Sequence, residues 1–169
     1  MRLFFGLKPD PQTAMDIIDW RERSLPPMAR PVPVDNLHVT LAFLGQVQDR
    51  YLEELIDLAD QVRSDPFKLR INQLGFWSKP KILWIGPDDI PKAVSQLAAK
   101  LGNVRRRMGF RAEKKEFLPH ISIARRCEMP PPASALKPDF TIDFDRFSLY
   151  ESSRIKSGLY YRTVQDWML

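Results

Sequence analysis

The chain of 169 residues carries one cysteine and two histidines. Cys127 has no second thiol with which to close an internal disulfide and no companions for a cysteine zinc site, which fits a reducing compartment and leaves it a packing residue. Long hydrophobic runs are also missing. The opening "MRLFFGLKPDPQ" is apolar for only a few residues before Lys8, Pro9 and Asp10, too short for the core of a signal peptide or for a membrane span. A cytoplasmic chain without membrane association is therefore expected. No P-loop and no H-x₃-H pair is present, which disfavours nucleotide-driven ligation and a helical zinc site. What remains is 44% hydrophobic and 28% charged, the composition of one well-buried domain, with a net charge of +5 that favours polyanionic partners.

The two histidines occupy matching settings. In "NLHVTLAFLG" (Asn36 to Gly45), strand alternation sets Leu37, Val39, Leu41 and Phe43 on a buried face and His38, Thr40 and Ala42 on the other. In "FLPHISIARR", Ile121 and Ile123 alternate with His120 and Ser122. One such histidine is most simply a ring hydrogen-bonded to a neighbour. Two, each followed two places on by a hydroxyl residue, point to a shared site.

A longer internal echo surrounds them. "LFFG" from Leu3 resembles "LWIG" from Leu83 at an offset of 80 (83 − 3), and the histidines are offset by 82 (120 − 38). "FKLRINQLGFW" from Phe67 aligns with "FTIDFDRFSLY" from Phe140, and both change apolar parity at one point, Asn72-Gln73 and Asp145-Arg146, where a β-bulge or tight turn is expected. Helical patterns precede each histidine strand. Thr13 reads as an N-cap with Asp16 three places on, and Pro91 suits the first turn of a helix burying Val94, Leu97, Ala98 and Leu101. A further helix with Leu52, Leu55, Ile56, Ala59 and Val62 on one face has no counterpart in the second copy, where "MPPPASALKP" reads as a loop. The expected architecture is α+β and bilobal: residues 1–169 form one domain of two intertwined pseudo-symmetric lobes. Two antiparallel sheets then flank a central cleft, with helices outside.

Two imidazoles titrating near neutrality suit displacement at phosphorus. One takes a proton from the attacking oxygen while the other gives one to the leaving oxygen, from opposite sides of the phosphate. Thr40 and Ser122 are placed to donate hydrogen bonds to non-bridging oxygens. A metal site is the competing reading, poorly served by two histidines and one cysteine.

"HVTLAFLG" and "HISIAR" resemble the paired H-x-[T/S]-x motifs of the two-histidine (2H) phosphoesterases, and within them the bacterial and archaeal RNA 2′,3′-cyclic phosphodiesterases, also named 2′-5′ RNA ligases. "RLFFGL", "PVPVDNLHVTLAFLG", "LWIG" and "LYESSRIKSGLYY" extend the likeness over nearly the whole chain. The resemblance implies metal-independent, cofactor-free hydrolysis of a ribose 2′,3′-cyclic phosphate to a 2′-phosphomonoester. It implies His38 as proton donor to the departing 3′ oxygen, His120 as the acceptor that activates water, and Thr40 and Ser122 as phosphate holders; Ser122 stands where the family commonly has threonine. Arg125 and Arg126 are both candidate substrate contacts: a regular strand puts Arg126 on the His120 face, whereas the family motif runs through Arg125. Phe4, Trp84, Phe76, Trp77, Tyr160 and Tyr161 offer aromatic surface for base stacking, though packing explains any one of them. The expected partners are RNA ends or nucleotides carrying a 2′,3′-cyclic phosphate, met by a monomer. Two alternatives stay open: 2′-5′ RNA ligation by the reverse chemistry, and a non-catalytic module that binds RNA ends. Against the second stand two intact histidines, since lysine or arginine serves binding alone as well.

Overall fold

Asp10 accepts hydrogen bonds from the backbone N–H (2.9 Å) and hydroxyl (2.6 Å) of Thr13, so it and not Thr13 caps the first helix, α1 (Pro11–Ser24). The reason lies in Pro11, whose fixed φ and missing N–H suit the first helical position and put the cap one residue earlier. The computed structural model describes all residues except 29, 112, 133–135 and 157. Helix α2 (Leu52–Ala59) buries Leu55, Leu58 and Ala59, and Leu52, Ile56 and Val62 lie partly buried beside them. Helix α3 (Lys92–Arg107) follows Pro91 and buries Val94, Leu97, Ala98 and Leu101, as their spacing predicts, and Val104.

The described residues also form ten strands: β1 (Arg2–Leu7), β2 (Arg30–Pro31), β3 (Val39–Gln46), β4 (Phe67–Ile71), β5 (Gln73–Trp77), β6 (Ile82–Gly86), β7 (Ile121–Arg125), β8 (Phe140–Phe144), β9 (Arg146–Ile155) and β10 (Gly158–Met168). They form two antiparallel sheets, so the α+β class holds, but the sheets are unequal. One has the order β10-β9-β1-β3-β7-β6-β5 with β2 beside β7; the other is the ribbon β4-β8. In that ribbon Leu69 faces Ile142, and Phe67, Leu69, Ile71, Ile142 and Phe144 bury one side while Lys68 and Asp143 pair at 2.9 Å on the other.

Neither a bulge nor a turn explains the parity change at Asn72 and Asp145. Each residue interrupts a strand that leaves the ribbon and enters the large sheet, β4 into β5 and β8 into β9, so the apolar face is exchanged along with the sheet. Within the loop read over residues 129–138, positions 133–135 lie outside the described residues, and the rest is neither helix nor strand. Cys127 is partly buried against the core, as a packing residue is. Among the described residues no helix is long and apolar enough to cross a membrane.

Candidate active site

His38 and His120 each stand immediately before a strand, β3 and β7, and those strands meet at one ladder pair, Val39 opposite Ile121. In a regular antiparallel ladder about that pair His38 would face Ser122 and Thr40 would face His120, leaving the histidines as diagonal neighbours roughly 7–8 Å apart. Beyond the pair, β7 is flanked by β2, with Arg30 opposite Arg125 and Pro31 opposite Ala124.

Both rings are anchored in the same way. His38 Nδ1 donates to the Asn36 carbonyl at 2.7 Å and His120 Nδ1 to the Leu118 carbonyl at 2.8 Å, each two residues earlier. A carbonyl only accepts, so Nδ1 carries the hydrogen in both and Nε2 is the nitrogen that titrates. His38 Nε2 lies 3.2 Å from the Thr40 hydroxyl. Phe4 and Tyr161 flank the His38 ring, each at 4.9 Å between centroids, and Trp77 and Trp84 flank His120 at 4.6 and 6.2 Å. Four of the aromatics considered for stacking thus wall in the imidazoles. Phe76 is partly buried against the core, and Tyr160 is exposed.

Burial lowers the His38 pKa to about 4; the Asn36 carbonyl acts in the opposite sense, and the charges of Arg125, His120 and Lys8 lower it further. Burial also lowers His120, opposed by the Leu118 carbonyl and reinforced by Arg125. A histidine depressed in the folded state favours the neutral form, so its contribution to stability is complete above the unfolded pKa of about 6.5. That contribution is lost as pH falls from there toward the folded value, here about 4. Over that window wild-type protein is expected to lose on the order of 3 kcal/mol more unfolding free energy than His38→Gln, read from urea denaturation at the two ends. Equal losses would show that the ring is not held neutral by its surroundings.

A β-bulge decides which arginine joins the histidines. Between β6 and β7 the register passes from Leu83–Ala124 to Trp84–Ser122 and skips Ile123, so Ile123 and Ala124 are both buried and the alternation shifts by one. Half-buried Arg125 therefore shares the His120 face and acts on both imidazoles. Arg126, which a regular strand would put there, lies past the strand end with φ of +56°, exposed, and is not among the charges acting on either ring. The salt bridges among the described residues do not involve Arg125. The first motif bulges at the equivalent place: the β1–β3 register skips Leu41, and Leu41 and Ala42 are both buried. That shift overturns the reading of Phe43 as core. It is partly exposed, with the Arg2 guanidinium carbon 5.0 Å from its ring centre, while Leu44 is buried.

Thr40 and Ser122 are half-buried on the strands that carry the histidines, Ser122 opposite Trp84. A cavity of about 930 Å³ opens beside His120 and Thr40 and is also lined by Trp77, Arg105, Lys115 and Phe117. Among the described residues no three His, Cys, Asp or Glu side chains converge as a metal site would require. Lys8, whose charge acts on His38, escaped the reading of the sequence. Its signal was the alternation of Phe4, Gly6 and Lys8 along β1 and just past its end.

Comparison with known proteins bears on this arrangement. A profile of the family described as "LigT like Phosphoesterase" matches the chain twice in succession, over residues 7–84 and 85–161. An RNA 2′,3′-cyclic phosphodiesterase of Escherichia coli (strain K12) is 34% identical over 173 residues, covering 99% of this chain and 96% of its own. The crystal structure of E. coli LigT complexed with 3′-AMP superposes with a TM-score of 0.89 at 33% identity, covering 99% of this chain and 97% of that one. The same protein complexed with phosphate gives 0.87 at 32% identity, over 99% and 96%.

Proposed function

Because the chain belongs to the LigT-like RNA 2′,3′-cyclic phosphodiesterase family of the 2H phosphoesterases, we propose that it hydrolyses a terminal ribose 2′,3′-cyclic phosphate to a 2′-phosphomonoester, without a metal, by two-histidine acid–base catalysis. The observation that carries this reading is the matched pair of Nδ1–carbonyl anchors, which leaves the Nε2 atoms of His38 and His120 as the titrating nitrogens, that of His38 3.2 Å from the Thr40 hydroxyl. His120 takes a proton from the attacking water as its oxygen bonds to phosphorus. His38 gives a proton to the 3′ oxygen as the P–O3′ bond breaks, and the 2′ ester remains. Thr40, Ser122 and Arg125 hold the non-bridging oxygens, where charge accumulates. The complexes of the E. coli relative with 3′-AMP and with phosphate support a nucleotide phosphate as the ligand.

Both imidazoles have lowered pKa values in the free site, so at neutral pH both are neutral there. An arriving phosphate anion offsets the charge of Arg125 and raises them, loading the proton that catalysis needs. The profile of kcat/KM against pH is therefore a bell centred below the usual histidine value of about 6.5, and the profile of kcat lies at higher pH. Its two limbs belong to the coupled pair. The test uses an RNA oligonucleotide ending in 2′,3′-cyclic phosphate, with EDTA present. A 2′-phosphate product and an unchanged bell are expected. Loss of activity to the chelator, restored by a divalent ion with a bell that moves when the ion is changed, would replace the two-histidine mechanism with a metal-bound hydroxide.

The same proposal includes a duplicated, pseudo-two-fold architecture. In support, two of the ladders that join the repeats set equivalent residues face to face: Val39 with Ile121 and Leu69 with Ile142. The two successive matches of the family profile agree with it.

A further inference from the structure

We propose that Arg21 is a positioning residue for Arg125: by holding the bulge carbonyl of Ile123 it keeps Arg125 turned onto the histidine face. This rests on the reading above that Arg125 meets the phosphate.

Arg21 lies in the last turn of α1 and is 5% exposed, on a chain that rarely buries a charge. Its Nη1 donates to the Val32 carbonyl at 2.6 Å and to the Ile123 carbonyl, 102 residues away, at 3.0 Å. The Ile123 carbonyl also accepts from the Val32 N–H at 2.9 Å. On the outer side, Arg21 Nε and Nη2 both donate to Glu22 Oε1, at 3.1 and 3.0 Å, and Glu22 is mostly exposed, so the guanidinium is balanced from the surface while its inner edge serves the two carbonyls. A bulge takes one residue out of the regular ladder and leaves its backbone groups to find partners elsewhere. Ile123 is that residue, and Arg21 with Val32 supplies the partners.

The functional weight of the contact comes from parity. With the bulge, Ile123 and Ala124 both point into the core and Arg125 returns to the side of His120 and Ser122. Without it β7 regains simple alternation, Arg125 moves to the opposite side and Arg126 takes its place. Arg21 makes no contact with the histidines in this scheme. It acts through two backbone carbonyls on the direction of another side chain.

Two readouts separate this from a merely structural role. The chain has two histidines, so their ring resonances can be assigned with His38→Gln and His120→Gln and titrated by NMR without substrate. His38 is faced by Lys8 at the end of β1 and by Arg125 and His120 of the β7 segment, and His120 by Arg125. In Arg21→Met both apparent pKa values rise, in the direction and by the amount seen in Arg125→Met, and the double variant rises no further. For a 2′,3′-cyclic phosphate, kcat/KM falls roughly tenfold in either single variant and no lower in the double, the non-additivity of residues acting as a unit. Arg21→Lys, whose ammonium can still reach a carbonyl, recovers part of both effects and replaces Arg21→Met should that variant not fold. Unchanged imidazole titrations beside a lowered melting temperature, or independent losses that multiply in the double variant, would overturn the proposal. If the titrations couple as described but wild-type protein leaves the cyclic phosphate intact, the positioning role stands and the reading of the reaction fails.

Discussion

Alanine at His38 or at His120 lowers kcat/KM for a 2′,3′-cyclic phosphate by ~10²–10⁴, the usual worth of a general acid or base. The fold survives either change, since each ring is held by a short-range carbonyl and lies on the cleft side of its strand, apart from the buried cluster formed by Leu37, Val39, Ile121 and Ile123. Below about pH 6.5 loss at His38 also removes the cost of a ring whose charged form is disfavoured by burial. The two losses do not multiply: with one proton carrier gone, removing the other costs little more, because donor and acceptor serve one displacement. Thr40→Val and Ser122→Ala are milder. Hydrolysis at the wild-type rate by His38→Ala would rule out its role as donor.

Valine at Gly75 is the second large effect, and it runs against strand propensity. Gly75 lies opposite Trp84 in the β5–β6 ladder, and a Cβ there would sit 2.1 Å from Cζ2, 2.3 Å from Cε2 and 2.6 Å from Cη2 of the indole. Trp84 is also approached on its other edge, where a Cβ at Gly86 would meet its Cζ3 at 3.0 Å. Trp77, 5.0 Å away between centroids, stands beside it, and the ring of His120 lies 6.2 Å away. A larger residue at 75 therefore drives the indole onto the imidazole. Gly75→Val is expected to destabilise by about 1–3 kcal/mol, the range of overpacked sites, where a β-branched residue in an open strand position would stabilise. With it goes a loss of at least about tenfold in kcat/KM, since misplacement near 1 Å can cost more than that. A Gly75→Val variant with wild-type melting temperature and activity would show that Trp84 has room to move.

Much of this site was legible without coordinates, and the illegible part has a common cause. The burial of α3, the alternation of β4 and β8 and the kinship of the two histidine strands all follow from periods that local sequence carries. Arg125 and Phe43 were misplaced or left undecided because a bulge shifts alternation by one, and no residue within the bulge announces it. Its partner is Arg21, far away in the chain, so the information is tertiary. The strands broken at Asn72 and Asp145 show the same limit: the parity change was visible, but that it marks passage between two sheets depends on which neighbours the halves find. Asp10 over Thr13 was a closer matter, decided by Pro11.

The seam at Val39 and Ile121 has a mechanical consequence. On one side β10, β9, β1 and β3 are laced by runs of consecutive pairs, and on the other β7, β6 and β5 likewise, so each group forms a stiff leaf. Between the leaves lies the single pair, and β2 is laced to β7 alone. Compliance in such a structure is concentrated where the fewest backbone bonds cross. Each imidazole is held by a carbonyl just ahead of its own strand, so a rotation about the seam would change the span between the two Nε2 atoms and leave both anchors intact.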